Sequence, residues 1–226
     1  MQLHPESSSQ LCNQGAGANP QAILFDYGMV LSRPADPDAK AALIQICGIH
    51  RHTFEKYYWA NRLTYDAGQY RGETYWNKIA LDAGIALDSE QIRKLIRYDI
   101  QMWSIADDEM VDWALKVQRS GFQIGILSNI CNEIAETMER EVGWVRRFDY
   151  RIWSCRLGVA KPDLAIFKYT VERLGISPDH ILYMDDREEN IAAARAVGIQ
   201  GIVYTNKLRL RSDLQQLRID HLLPPI

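Results

Sequence analysis

Four short stretches carry side chains that could do chemistry together. "AILFDYGMVLS" (22–32) runs from apolar and small residues into Asp26, with Gly28 two positions on. "GILSN" (125–129) ends on Ser128 and Asn129, "VAKPD" (159–163) sets Lys161 before a proline, and "ILYMDD" (181–186) ends on Asp185 and Asp186. Carboxylates with one ammonium, a hydroxyl and an amide suit a magnesium-assisted reaction on a phosphate. Magnesium is a hard cation that takes oxygen ligands, often one or two carboxylates plus waters and phosphate. An aspartate can attack phosphorus directly, while a metal and a lysine neutralise the transferring group. Taken singly, each residue has a plainer explanation. A strand-end Asp commonly forms a turn, a Ser-Asn pair caps a helix, and a Lys-Pro step opens one. The order of the four, each at a strand edge, points to a site.

The elements that must position these residues are legible as apolar runs. Residues 22–26, 121–127, 149–154, 180–185 and 198–205 read as short buried strands. Between them lie helical patterns at 107–121, 131–143, 162–175 and 188–198, each closed by a glycine. Strand and helix alternating at this spacing predict an α/β fold, a Rossmann-like parallel sheet with crossover helices. Ligands of such sheets bind beyond the carboxyl ends of the strands, where Asp26, Ser128, Asn129, Asp185 and Asp186 all fall. The rhythm breaks between 36 and 105, a stretch of helical patterns and aromatics such as "FEKYYWANRLTYDAGQYRGETYW". Its aromatics are expected to pack the core of this inserted unit. The expected division is a tail at 1–20, a core domain at 21–35 and 106–226, and a helical insert at 36–105.

Composition narrows the function class. Of 226 residues, 47% are hydrophobic and 24% charged, with a formal net charge of −3. That balance suits a globular protein and argues against a broad nucleic-acid footprint. No apolar run approaches the roughly 20 residues that span a membrane. The first 20 residues are polar and rich in Gly and Ser, without the marks of a signal peptide; a disordered tail and a cytoplasmic location are expected. Cys12, Cys47, Cys131 and Cys155 are scattered, with no CxxC pair, so reduced thiols are expected rather than zinc or disulfides. His50 and His52, two apart, face different sides of a helix and make poor joint ligands.

The four stretches, in this order, resemble the motifs of the haloacid dehalogenase superfamily of hydrolases: "LFDYGMVLS", "ILSN", "LGVAKPDLAIF" and "ILYMDDREEN". The insert stands where that family carries its small first-type helical cap. The resemblance implies a nucleophile at Asp26, a phosphate-binding hydroxyl at Ser128 with Asn129 beside it, and at Lys161 the lysine that steadies nucleophile and phosphate. It implies magnesium held by Asp26, the Gly28 carbonyl and Asp186, with Asp185 as a neighbouring support and Asn190 in the motif's last acidic position. It departs from the family at Gly28. Most phosphatases of the family carry there an aspartate whose side chain is the general acid and base and whose carbonyl binds magnesium. Glycine keeps the carbonyl and loses the acid. A similar Asp-x-Gly motif occurs in the sugar-phosphate phosphatase branch that includes α-D-glucose-1-phosphate phosphatase, and "YDAGQYRGETYW" resembles the cap of that branch.

The resulting expectation is a magnesium-dependent phosphatase of a small phosphorylated metabolite, such as a sugar phosphate, acting through an aspartyl-phosphate. Two alternatives stay open. A 2-haloacid dehalogenase-like hydrolase would use Asp26 on carbon without a metal, although its relatives carry tyrosine two residues after the nucleophile and Tyr27 is one position off. A non-catalytic binding protein could have kept the fold after losing the acid. Within the insert, Tyr65, Gln69, Tyr70 and Arg71 are the expected substrate-facing turn, and Arg33 a hinge or phosphate contact. Oligomeric state and substrate are not readable from the sequence.

Overall fold

The computed structural model describes residues 18–226. Its centre is β1 (Ala22–Phe25), whose four residues are all fully buried. A strand covered on both faces reads as an unbroken apolar run rather than an alternating one. Around it β2 (Gln123–Ser128), β3 (Tyr150–Trp153), β4 (Ile181–Asp185) and β5 (Gln200–Val203) complete a parallel sheet of order β3-β2-β1-β4-β5. All five expected strands are present, and the fold class is α/β as read.

Before β2 the chain forms α1 (Pro37–Cys47), α2 (Arg51–Ala60), α3 (Arg62–Asp66), α4 (Gly72–Ala83), α5 (Ser89–Met102) and α6 (Asp108–Arg119). After β2 come α7 (Asn132–Glu141), α8 (Ser154–Leu157), α9 (Leu164–Leu174), α10 (Glu188–Ala196) and α11 (Lys207–Gln216). Local signals set the ends of these helices. Asp107 caps α6 through the amides of Glu109 and Met110, acidic residues fill its first turn and Lys116 and Arg119 its last. Asp88 and Gln91 form a reciprocal capping box on α5.

Alternation along β1 splits the core in two. Ile23 and Phe25 pack with Trp113, Ala114, Ile134 and Ala135 from α6 and α7 on one face. Ala22 and Leu24 pack with Ile166, Phe167, Ile191 and Ala194 from α9 and α10 on the other. The inserted helices α1–α5 extend the first of these cores through Phe54, Tyr58, Tyr65, Tyr75 and Trp76, and Tyr65 stacks on Tyr75 with ring centroids 4.2 Å apart.

The two connections between insert and sheet run side by side. Ser32 and Ala106 form an antiparallel bridge, the Arg33 amide donates to Ile105 O at 2.8 Å and the Asp107 amide to Leu31 O at 2.9 Å. Cys47, Cys131 and Cys155 are free thiols, as expected, while Cys12 lies outside the described residues. So does most of the expected tail at 1–20; of its last three residues, Ala18 O already accepts a bond from Gln200 Nε2 at 2.6 Å and Asn19 O lies 2.6 Å from His180 Nδ1. Among the described residues, no helix is long and apolar enough to cross a membrane.

Candidate active site

Asp26 leaves β1 at the carboxyl edge of the sheet, where its amide donates to Met184 O of β4 at 2.8 Å. The chain then turns sharply through Tyr27–Leu31. Two N–H donors fall on Asp26 Oδ1: the Tyr27 amide at 2.7 Å and Lys161 Nζ at 2.9 Å. Oδ2 carries neither of them. Ser128 ends β2 on the neighbouring side, buried, with its Oγ only marginally engaged by Asn129 O at 3.5 Å. The Asn129 side chain ties the next segment in place, accepting from the Lys161 amide and donating to Lys161 O, each at 2.8 Å. Residue 161 is thereby fixed against the sheet edge although it lies 32 positions on.

Lys161 is 2% exposed. Besides Asp26, its ammonium reaches Asp185 Oδ2 at 2.7 Å, Tyr183 Oη at 2.8 Å and Leu127 O at 3.0 Å. Burial alone would lower its pKa; the carboxylates of Asp26 and Asp185 reverse that and hold it above the ordinary lysine value. Asp185 is the best satisfied carboxylate of the group. Asn190 Nδ2 donates to both its oxygens at 2.9 and 3.0 Å, the Arg187 amide donates at 2.9 Å, and the Tyr183 hydroxyl bonds it as well. Burial raises its pKa, but Lys161 outweighs that and leaves it below the ordinary value. Asp26 fares differently: burial pushes its carboxyl up to about 7, Lys161 opposes this and Asp185 adds to it. One cation shared between two buried carboxylates leaves one of them short of charge, and Asp26 is that one.

Asp186 follows Asp185 but points elsewhere, onto the wall of a cavity of about 580 Å³ at this edge of the sheet. Its pKa is raised by burial and by Asp185. Oxygens of Asp26, Asp185 and Asp186 lie within 4.8 Å of one another, so three carboxylates face one ammonium. The Asn190 carboxamide oxygen is buried with no hydrogen-bond partner. All donors here are oxygens, negative charge is in excess and a buried oxygen is orphaned: this environment fits a hard divalent cation with its waters. Asp26, Gly28, Ser128, Asn129, Lys161 and Asp186 all line the one cavity.

Gly28 has φ −60° and ψ 131°, an ordinary conformation for any residue, and a Cβ built on it meets nothing within 4 Å. The strained residue is its neighbour. Met29 has φ 60°, uncommon outside glycine and costly by about 1–3 kcal/mol. Its amide donates to Ser32 Oγ at 3.2 Å, and its side chain is left on the cavity wall, 42% exposed.

The far wall comes from the insert, and not from the turn expected to supply it. Tyr65 is fully buried and donates to Glu133 of α7 at 3.0 Å; Arg71 pairs with Glu136 at 2.9 Å, and the Gly72 amide donates to Glu133. These residues fasten the insert to the core. Neither they nor Gln69, Tyr70 and Arg33 line the cavity. The lining residues are Trp59, Arg62, Leu63 and Asp66 on α2 and α3, with Trp103 just past α5. The first four stand at i, i+3, i+4 and i+7, one face of a helix, and that periodicity is the sequence signal that could have found them. Arg62 is buried. Its Nε donates to both Asp66 oxygens at 3.0 and 3.1 Å and its Nη1 to both Asp99 oxygens at the same distances. The Tyr58 hydroxyl donates to Asp99 at 2.6 Å and accepts from the Trp103 indole at 2.9 Å, while Trp103 O accepts from the Tyr27 hydroxyl at 2.7 Å. The insert and the turn after Asp26 are thus joined by one chain of hydrogen bonds.

The family profile of haloacid dehalogenase-like hydrolases matches residues 21–198. The chain belongs to this family. Among solved structures, a haloacid dehalogenase family enzyme of Bacteroides thetaiotaomicron superposes with a TM-score of 0.71 at 19% identity, over 83% of this chain and 95% of that one. A variant of that enzyme is known in complex with magnesium and inorganic phosphate. In sequence, a sesquiterpene phosphatase of Aspergillus oryzae is 28% identical over 112 residues, 49% of this chain and 57% of that protein. A phosphoglycolate phosphatase of Xanthomonas campestris is 26% identical over 98 residues, covering 43% and 44%. The chain thus spans about half the length of these two relatives. Within the hydrolase family, the excess of carboxylates around Lys161 is what needs a chemical account.

Proposed function

We propose that this hydrolase is a magnesium-dependent phosphatase of a small phosphorylated metabolite, working through a phosphoryl group carried on Asp26. The observation that carries this reading is the cluster at the sheet edge: a nucleophile-ready carboxylate paired to a fully buried lysine, with Asp186 within ligand distance. Magnesium and inorganic phosphate bound to the Bacteroides enzyme, and the phosphatases among the relatives, support it. Asp26, the Gly28 carbonyl and Asp186 would hold the ion. Bound there, its two positive charges would add to that of Lys161 against three carboxylates and a phosphate.

The chain's own residues divide the remaining work. Lys161 and the Tyr27 amide hold Asp26 Oδ1 and leave Oδ2 as the oxygen for attack. That oxygen attacks phosphorus as the ester P–O bond breaks, and the leaving oxygen departs with the electron pair. Ser128 Oγ, the Asn129 segment and Lys161 hold the phosphoryl oxygens. The departed oxygen takes a proton from solvent, a water that gives up a proton to solvent attacks phosphorus, the Asp26–phosphorus bond breaks, inorganic phosphate is formed and the carboxylate is restored. Helices α1–α5 act as the cap that excludes bulk water during these steps. Nothing at position 28 protonates the leaving oxygen.

The purified chain should hydrolyse p-nitrophenyl phosphate with magnesium and stop with EDTA. A rate indifferent to EDTA, or halide release from a 2-haloacid in its place, would favour the dehalogenase reading. A substrate screen should contain sugar 1-phosphates, after the Asp-x-Gly resemblance, and sesquiterpene phosphates, after the Aspergillus relative.

A further inference from the structure

The cavity has two chemically distinct ends. Ionisable and hydrogen-bonding groups crowd the sheet edge, around Asp26, Ser128, Lys161 and Asp186. The insert side is Trp59, Leu63 and Trp103 with the Arg62–Asp66 pair, and Met29, Ile130 and Ile134 add further apolar surface to the lining. Met29, Trp59 and Leu63 are 42%, 51% and 54% exposed, and all three line this one cavity rather than scattering over the surface. The polar groups on this side are already committed. Arg62 and Asp66 bond each other, Arg62 also bonds Asp99, and the Trp103 indole donates to Tyr58.

Two details at the junction of these ends point the same way. Gly28 is not needed for its backbone angles, and a side chain there would stand in open space. What glycine contributes is the absence of a side chain, which leaves the cavity beside Asp26 unfilled and adds no charge there. Beside it the backbone is held at a positive φ to present Met29, a flexible apolar side chain that adapts to irregular ligands.

We infer that the leaving group of the substrate is an apolar body without hydroxyl groups, a hydrocarbon-like alcohol or phenol seated against Met29, Trp59, Leu63 and Trp103. A polyhydroxylated body such as a hexose would leave its hydroxyls facing this wall unpaired, and each buried unpaired polar group costs affinity. A cavity of about 580 Å³ lies within the range that takes drug-sized ligands. This inference rests on the phosphatase reading and names its substrate class.

The test is a series of para-alkylphenyl phosphates, from phenyl through 4-butylphenyl to 4-octylphenyl, assayed with magnesium below their micelle concentrations. The alkyl group barely changes the phenol pKa, so rate differences report burial rather than leaving-group chemistry. Each methylene that reaches the wall should raise kcat/KM by up to about fourfold, until the cavity is full. Glucose 1-phosphate and glucose 6-phosphate should fall well below the longer esters. In Trp59→Ser and Leu63→Ser, both at exposed positions, the gain per methylene should shrink. A flat series with phenyl phosphate turning over, an unchanged gain in both variants, or a hexose phosphate outrunning the octyl ester overturns this inference and leaves the phosphatase reading standing. Failure to hydrolyse any ester overturns both.

Discussion

Replacing Gly28 with aspartate tests the proposed phosphatase chemistry at the position that lacks a carboxylate. In the wild type nothing at this position can protonate the departing oxygen. A positioned general acid contributes about a hundred- to ten-thousandfold, or roughly 3–5 kcal/mol at 1.36 per tenfold. Whether that factor is recoverable depends on fit. Position 28 has φ −60° and ψ 131°, and a Cβ there meets nothing within 4 Å. The backbone angles and the Cβ of the substituted residue therefore meet no obstacle. Asp26 and Asp186 line the same cavity as position 28, and like charges raise the new group's pKa, so it stays protonated nearer to neutral pH. In Gly28→Asp, kcat for a primary alkyl phosphate should rise at least about a hundredfold. Aryl phosphates, whose leaving groups tolerate charge, should change little. In the wild type, log kcat/KM should therefore fall steeply with leaving-group pKa, and in the variant the dependence should flatten. The new charge also enters the cavity that holds the apolar lining, so KM for the longer alkylphenyl esters should increase. Gly28→Ala controls for bulk. The reasoning is refuted if alanine gives the same gain as aspartate, if alkyl and aryl esters gain equally, or if the wild-type series is already flat with chemistry rate-limiting.

Asp26→Asn should be folded and essentially inactive, because an amide cannot carry the phosphoryl group. It should also change metal-free stability with pH. Burial raises the folded Asp26 carboxyl to about 7 from 3.8, so this group's contribution to stability is full below about 4 and is lost as pH rises through about 7, by up to about 4 kcal/mol. Thermal melts in EDTA at pH 5 and 8.5 should show that decline reduced in Asp26→Asn, and parallel declines would contradict it. Asp186→Ala should raise the magnesium concentration needed for half-maximal rate at least tenfold while leaving the melting temperature in EDTA unchanged or higher, since it removes one of three crowded carboxylates. Arg62→Met should destabilise the fold by about 3–5 kcal/mol by stranding Asp66 and Asp99 without their cation, read from denaturant midpoints. Adding Asp66→Asn and Asp99→Asn to Arg62→Met should restore most of that loss, which would show that unpaired charge, and not lost packing, is the cause.

The sequence by itself determined the features that depend on neighbours along the chain. A short unbroken apolar run such as "AILF" suits a strand covered on both faces, and Asp107 or Asp88 ahead of an amphipathic stretch fixes where a helix begins. From these runs follow the five strands, their polar ends and the convergence of Asp26, Ser128, Asn129, Lys161 and Asp186 on one edge. Tertiary structure alone decided the rest. Asp185 and Asp186 are adjacent and identical in type, yet strand alternation and the reach of Lys161, 24 residues away, bury one as the lysine's partner and turn the other to the cavity. Tyr65 and Trp59 lie in one aromatic stretch; packing against Tyr75 and Glu133 takes Tyr65 inside, and Trp59 is left to face the cavity. No local pattern announces that Arg62 will find Asp99 37 residues on, or that Gly28 keeps ordinary angles while Met29 takes the strain. Side-chain environment is set by which elements meet, and long-range packing, which one stretch of sequence does not encode, selects among faces that periodicity leaves equivalent.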